Sequence, residues 1–183
     1  MITQIDVRDV LSRVGAAPMG DLVTRHTGRA VRSSIESELA RLSGRTVVVL
    51  DFSAVRMIDF SCADEIVAQL VQASLSKAIP TDAFFLIRGL HDHMVEEVVE
   101  EVLRKRELAM VAETSTGLRL VGSVDEEARA AFSSLVGRGQ AAPEDLAVDL
   151  HWSVDVTRTV LASLAGRRLV LHDAGLYRPL TAA

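Results

Sequence analysis

Residues 46–71, TVVVLDFSAVRMIDFSCADEIVAQLV, contain the reading that decides the fold. Five apolar or β-branched residues, Thr46 through Leu50, run into Asp51. A run this uniform, with no polar alternation, is the pattern of a central strand covered on both faces. A second short apolar segment ends at Asp59. Ser61 then reads as the N-cap of an amphipathic helix that buries Ala63, Ile66, Val67, Leu70, Val71 and Ser74. Asp64 and Glu65 fall in its first turn, where carboxylates complement the helix dipole. Asp51, Asp59 and Ser61 thus stand at strand ends and a helix mouth, the edge of an α/β fold where ligands and partners dock.

The flanking segments extend the same alternation. Residues 29–42 carry Val31, Ile35, Leu39 and Leu42 at helical spacing, stopped by Gly44. Around residues 5–11 the strand and helix periods compete. Pro80 closes the excursion that follows the central helix, and residues 83–87, AFFLI, read as the next strand. Residues 91–106 predict a helix with Met94, Val95, Val98, Val99, Val102 and Leu103 inward and Glu96, Glu97, Glu100 and Glu101 in water. Residues 108–112 and 118–121 read as two strands joined by the turn at Ser115, Thr116 and Gly117. Strands alternating with helices predict an α/β layer over residues 1–124.

The pattern changes after Val124. Residues 125–136 predict a helix, and Gly137 to Gln140 a break. Pro143 fits the first position of a short helix burying Leu146, Ala147 and Leu150. Ser153 fits the N-cap of another, burying Val156, Val160, Leu161 and Leu164 and ending at Gly166. Leu169-Val170-Leu171, a three-residue loop at Asp173-Ala174-Gly175, and Leu176-Tyr177-Arg178 complete a hairpin.

Composition narrows the function classes. The 183 residues suit one generous domain or two small ones, and 49% hydrophobic residues supply ample core. No apolar run approaches the ~20 residues that span a bilayer, and the opening MITQIDVRDV has no signal-peptide character. A cytoplasmic protein without membrane association is expected. Cys62 is the one cysteine, which excludes a disulfide framework and a multi-cysteine metal site. With no partner base near Cys62 in sequence, and His91 and His93 at an i, i+2 spacing that splays them on a helix, no catalytic residue, cofactor or metal is expected. His91-Asp92-His93 reads as a solvated helix cap. Asp51 and Asp59 could bind a cation or steer a kinase, but such residues more often satisfy loop amides, and no nearby third carboxylate favours a metal.

The stretch LDFSAVRMIDFSCADEIV resembles the STAS-like, anti-sigma-factor-antagonist type of domain, a strand ending in Asp51 followed by Asp59-Phe60-Ser61 at a helix start. In the sigma-regulating members the loop reads roughly Asp-Ser-Ser-Gly. The resemblance implies that Asp59 matches the family aspartate and Ser61 the hydroxyl that a partner kinase phosphorylates. Phe60 stands in place of the first serine and Cys62 in place of the glycine. Residues 125–183, with APEDLAVDLHWSVDVTRTVLASLAGRRLVLHDAGLYRPL, resemble a winged helix-turn-helix, an α+β domain. That resemblance implies DNA contacts from Ser153, Asp155, Thr157 and Arg158 on the second helix, phosphate contacts from Arg167 and Arg168, and Arg178 on the wing.

Two functions stay open. In one, a non-enzymatic cytoplasmic regulator binds a protein partner (a kinase, an ATPase or an anti-sigma-like regulator) through Asp51, Asp59 and Ser61, and delivers output to double-stranded DNA through the winged helix. In the other, both parts are interaction surfaces of a scaffold or partner-switching protein that binds no DNA. Residues 125–183 hold six Lys+Arg against eight Asp+Glu, a net −2 within a chain of net −5. Since phosphate contacts dominate DNA affinity, the discriminating property is whether Arg158, Arg167, Arg168 and Arg178 form an uninterrupted positive strip. A homodimer is expected from the long apolar face of residues 94–103.

Overall fold

The computed structural model describes residues 1–15, 21–79 and 82–181, so Pro80 lies outside the described residues. Its frame is a five-stranded sheet in the order β1 (Ile2–Asp6), β3 (Arg45–Asp51), β5 (Asp82–Arg88), β6 (Ala109–Thr114) and β7 (Gly117–Gly122). The first four strands run parallel, and β7 pairs antiparallel with β6. Asp51 pairs in register with Asp6 and Arg88, so these three residues mark one sheet edge.

The uniform apolar run of β3 has the cause inferred for it. Successive side chains of a strand point to opposite faces, and both faces here are covered. Val48 and Leu50 bury on one face, with Phe85, Ile87, Met110 and Ala112 beside them. Val47 and Val49 bury on the other face with Phe84, Leu86, Val111 and Leu120. Each fully buried Leu, Ile or Phe contributes about 1.5–3 kcal/mol.

The first face is covered by α1 (Val7–Arg13), α2 (Arg25–Leu39), a helix running from Phe60 to Leu75, and α5 (His93–Lys105). The competing periods at residues 5–11 resolve into both elements. Strand β1 ends at Asp6, whose carboxylate accepts the Arg8 and Asp9 amides and caps α1. Helix α2 begins four residues before the Arg29 start read from the apolar spacing, because its first turn is polar and carries no periodic signal. The Phe60 to Leu75 helix is itself composite. It comprises α3 (Phe60–Ala63), a π-helical turn (Asp64–Ala68) and α4 (Gln69–Leu75). A short parallel ribbon, β2 (Asp21–Leu22) with β4 (Met57–Ile58), leads into it.

The second face is covered by the C-terminal residues. Helices α6 (Glu126–Arg138), α7 (Pro143–Leu150) and α8 (Val154–Gly166), with the hairpin β8 (Val170–Asp173) and β9 (Leu176–Pro179), contribute Ala131, Phe132, Leu135, Leu161, Leu164 and Val170 to the cluster that holds Val47 and Val49. Residues on the two sides of Val124 therefore share a core. Helix α6 runs through Gly137 and Arg138, where a break was expected, and Gly139 ends it at φ 75°. The hairpin loop has two residues, not three. Asp173 pairs with Leu176, and Ala174 and Gly175 both take positive φ, the turn whose twist matches paired strands.

Three inward and outward expectations are corrected. Met94 is exposed, and Val95, Val99, Val102 and Leu103 are covered within the chain. The apolar stripe that suggested a homodimer therefore already has its cover. On α8, Val156 is exposed and Thr157 is fully buried, with its hydroxyl donating to the Ser153 carbonyl. The Thr157 hydroxyl is satisfied within its own helix, which permits its burial, so apolarity alone misplaced the face by one residue.

Candidate partner-binding site

Two loops build the sheet edge around Asp51. The carboxylate of Asp51 accepts the Ser53 amide and the Gln4 side-chain amide, both at 2.9 Å. Gly89, at φ 82°, lets the loop after β5 press on this turn, since a Cβ there would lie 2.3 Å from the Ser53 nitrogen. Asp51 thus holds one amide of its own loop and the side chain of Gln4 on β1.

Asp59 is the organising group of the helix mouth. Its Oδ1 accepts the Cys62 amide at 2.7 Å and the Ser61 hydroxyl at 2.8 Å, and its Oδ2 accepts the Thr24 amide at 2.7 Å. The N-cap of the helix is therefore Asp59, and the expectation for Ser61 is corrected. The reason is geometric. The N-cap side chain must reach an amide two or three residues ahead, and Asp59 holds that position because Phe60 is already helical. Burial opposes the charge of Asp59, and the amides of Thr24 and Cys62 with the Ser61 hydroxyl outweigh it, so its carboxyl titrates below the usual range.

Thr24 closes the mouth from the other side. It is a β-branched residue at φ 73°, ψ 141°, a conformation that costs free energy and persists only when its surroundings impose it. Its amide is held by Asp59, and its carbonyl accepts the Cys62 thiol at 2.9 Å. Gly28 allows this close approach, since a Cβ there would lie 3.0 Å from the Cys62 Cα and the Glu65 Cβ. Burial and the nearby Asp59 carboxylate push the Cys62 thiol up to about 12. It is a packed thiol rather than a nucleophile.

One turn further on lies a feature that the sequence reading missed. Asp64 and Glu65, expected in the first turn of the helix, are both buried in the π-helical turn. Arg106 and Arg25 bind Asp64, while Arg25, Arg29 and Arg32 converge on Glu65. Burial opposes the charge on Asp64, and the Arg106 and Arg25 guanidiniums outweigh it and hold its carboxyl below the ordinary range. The signal was in the sequence. Arg25, Arg29 and Arg32 have the i, i+4, i+7 spacing of one helix face, and only a helix start placed at Arg29 concealed it. π-Helical turns inside helices are frequent at functional sites.

The expected DNA-contacting residues form a second set, and the structure does not bring them together as a free positive strip. Ser153 caps α8 by accepting the Val156 amide at 3.2 Å. Arg158 pairs with Asp155 at 3.2 Å and with Glu144 at 3.1 Å. Arg167 donates to the Ser123 carbonyl at 2.6 Å. Arg168, largely buried, donates to Asp82 at 2.5 Å and to the Ala83 carbonyl at 3.0 Å, and it lies over the Phe84 ring. Arg178 pairs with Asp173 at 3.0 Å. Thr157, buried, faces the core rather than a groove.

His91 and His93 flank Asp92, which caps α5 by accepting the Met94 amide at 2.8 Å. Among the described residues no group of three or more His, Cys, Asp or Glu is placed to hold a metal. No described helix is long and apolar enough to cross a membrane. In comparison with known proteins, no family model matches the chain and no curated protein matches it.

Proposed function

We propose that this chain is a non-enzymatic cytoplasmic regulator that works by protein contacts, a STAS-like partner-switching or scaffold protein that binds no DNA. Its input site is the Asp59–Ser61 mouth, with Asp51 shaping the neighbouring loop. A kinase or anti-sigma-like regulator docks there, and phosphorylation of Ser61 places a dianion against the Asp59 carboxylate. That repulsion disturbs the bonds on which the Thr24 conformation rests. The C-terminal helices and hairpin, winged-helix-like in order, serve as an interaction layer rather than a reader of bases.

The observation that carries this choice is the engagement of the C-terminal arginines. Arg158 and Arg178 are paired with exposed carboxylates, and Arg167 and Arg168 are bonded to carbonyls and to Asp82. A phosphate would have to displace those partners in a segment that is itself net negative. One observation favours the second reading, a DNA-binding output. The order α7, α8, β8, β9 is that of a winged helix, with α8 capped by Ser153.

A mobility-shift series against pooled random duplexes at moderate salt tests the choice. No sequence-selective binding is expected, and selective binding overturns the protein-contact reading in favour of the DNA output. Intact-mass measurement of the complex purified from the protein's source is expected to show a stoichiometric protein partner with wild type and its loss with Ser61→Asp. A partner retained by Ser61→Asp removes Ser61 as the input.

A further inference from the structure

Beside the same mouth lies a charged cluster whose exposed members are mostly cations, in a chain that is acidic overall. Arg25, Arg29 and Arg32 on α2 and Lys105 and Arg106 at the end of α5 flank the Phe60 to Leu75 helix from its two sides. Shared contacts make them one arc. Lys105 lies 4.6 Å from the Phe60 ring centre, Arg106 and Arg25 share Asp64, and Arg25, Arg29 and Arg32 share Glu65. The carboxylates lie underneath, with Asp64 and Glu65 side chains 1% and 5% exposed, while Arg25, Arg29 and Arg106 are 45%, 62% and 45% exposed. Among the described residues, the exposed carboxylates paired with the arc are Glu36 on Arg32 and Glu101 on Lys105, at its two ends. Each guanidinium in the middle keeps donors that its buried partner does not use.

Apolar residues adjoin the arc. Phe60 is 37% exposed, Val23, just after β2, is 37% exposed, and Met57, on β4, is 54% exposed. Large apolar side chains in solvent beside cations held from beneath are the composition of a docking surface, with an apolar anchor and a charged surround. The cations come from two helices on either side of a third and are spread along it, which suits an extended acidic segment better than a single small anion. Buried carboxylates fix the guanidinium positions in advance, so a partner loses less side-chain entropy in binding them.

We infer that the Arg25–Arg29–Arg106 arc with Phe60 is the docking surface for an acidic, amphipathic segment of a partner protein, whose apolar residue packs on Phe60 and whose carboxylates take the outward guanidinium donors. This rests on the proposed function in placing the contact beside Ser61, and it adds the chemistry of the partner. Phe60, which stands where the family pattern has a serine, becomes the anchor.

Fluorescence anisotropy on the full chain tests it with a labelled amphipathic peptide, about four helical turns long, carrying Leu and Phe on one face and Glu elsewhere. A control has Gln for every Glu, and a second probe is a short random DNA duplex. Saturable binding of the acidic peptide is expected, weakened by salt, and at least about tenfold tighter than binding of the neutral control. Arg29→Gln with Lys105→Gln, and separately Phe60→Ala, are each expected to weaken it by about tenfold or more, as loss of an interface anchor does, with a circular-dichroism melt confirming the fold. The salt titration of the wild-type protein needs no variant. Equal binding of both peptides, no saturation by about 1 mM, or unchanged binding by the folded variants overturns the inference and leaves the Ser61 reading standing. Duplex binding tighter than peptide binding overturns the protein-partner chemistry and the protein-contact function together.

Discussion

Arg106 holds Asp64 side-on, with Nε 2.8 Å from one carboxylate oxygen and Nη2 2.9 Å from the other. Arg25 adds a third bond from the opposite side at 3.0 Å. A carboxylate in the middle of a core-facing helix is tolerable only with such partners, because an unpaired buried charge is far more costly than a paired one. The bond set ties α2, the π-helical turn and the end of α5 together.

Asp64→Asn is therefore expected to lower stability by about 2 kcal/mol, less than the ~3–5 kcal/mol of breaking a fully buried pair, because the released arginines regain water. The pH dependence follows from the depressed carboxyl of Asp64. Its contribution is complete above the unfolded value of about 4 and is lost as pH falls through that range toward the lower folded value. Urea melts from pH 6 down are expected to show wild type losing stability below about pH 4, with a shallower loss in Asp64→Asn. Parallel curves would remove Asp64 as a source of the acid sensitivity.

The capping assignment separates Asp59 from Ser61. Asp59→Ala removes the acceptor of the Thr24 and Cys62 amides, and a cost of about 2 kcal/mol is expected. Ser61→Ala removes one hydroxyl donor at a half-buried position, and a loss of no more than about 1 kcal/mol is expected. Chemical denaturation of the two variants compares them directly. A larger loss for Ser61→Ala would return the cap to Ser61.

Cys62 is expected to be inert in the folded chain. Its thiol is buried, bonded to the Thr24 carbonyl and pushed up to about 12, so almost no thiolate exists at neutral pH. Ellman's reagent at pH 8 is expected to react only on the timescale of unfolding, and at once in denaturant. Rapid reaction of the native protein would show that the mouth opens.

Gly89→Ala is expected to be among the more damaging single-methyl additions. The position combines φ 82° with a Cβ site 2.3 Å from the Ser53 nitrogen and 2.6 Å from its Cα. Backbone rather than a flexible side chain blocks the methyl, so the β3 and β5 loops have to part. A loss of at least about 2 kcal/mol is expected. Gly137→Ala meets nothing within 4 Å and has ordinary helical φ, so it is expected to be neutral to stabilising in the same thermal melt.

The elements of this chain were legible because their signals are local. The apolar run of β3, the stripes of the Phe60 to Leu75 helix and of α5, Pro143 opening α7 and Ser153 capping α8 each rest on contacts a few residues apart, or on the simple requirement that both sheet faces be covered. Helix and strand periods, together with the caps, determined an α/β chain with further helices and a hairpin behind it. The tertiary structure alone decided how the charged residues are used. Arg168 reaches Asp82, eighty-six residues earlier, and Arg106 reaches Asp64, forty-two residues earlier. No local pattern encodes such pairs, since an arginine bound to a buried carboxylate and one waiting for a phosphate look alike in sequence. Folding removed the C-terminal arginines from a free strip and raised the Arg25, Arg29 and Arg106 arc over two buried acids, because a charge inside a protein must find a partner wherever the chain brings one.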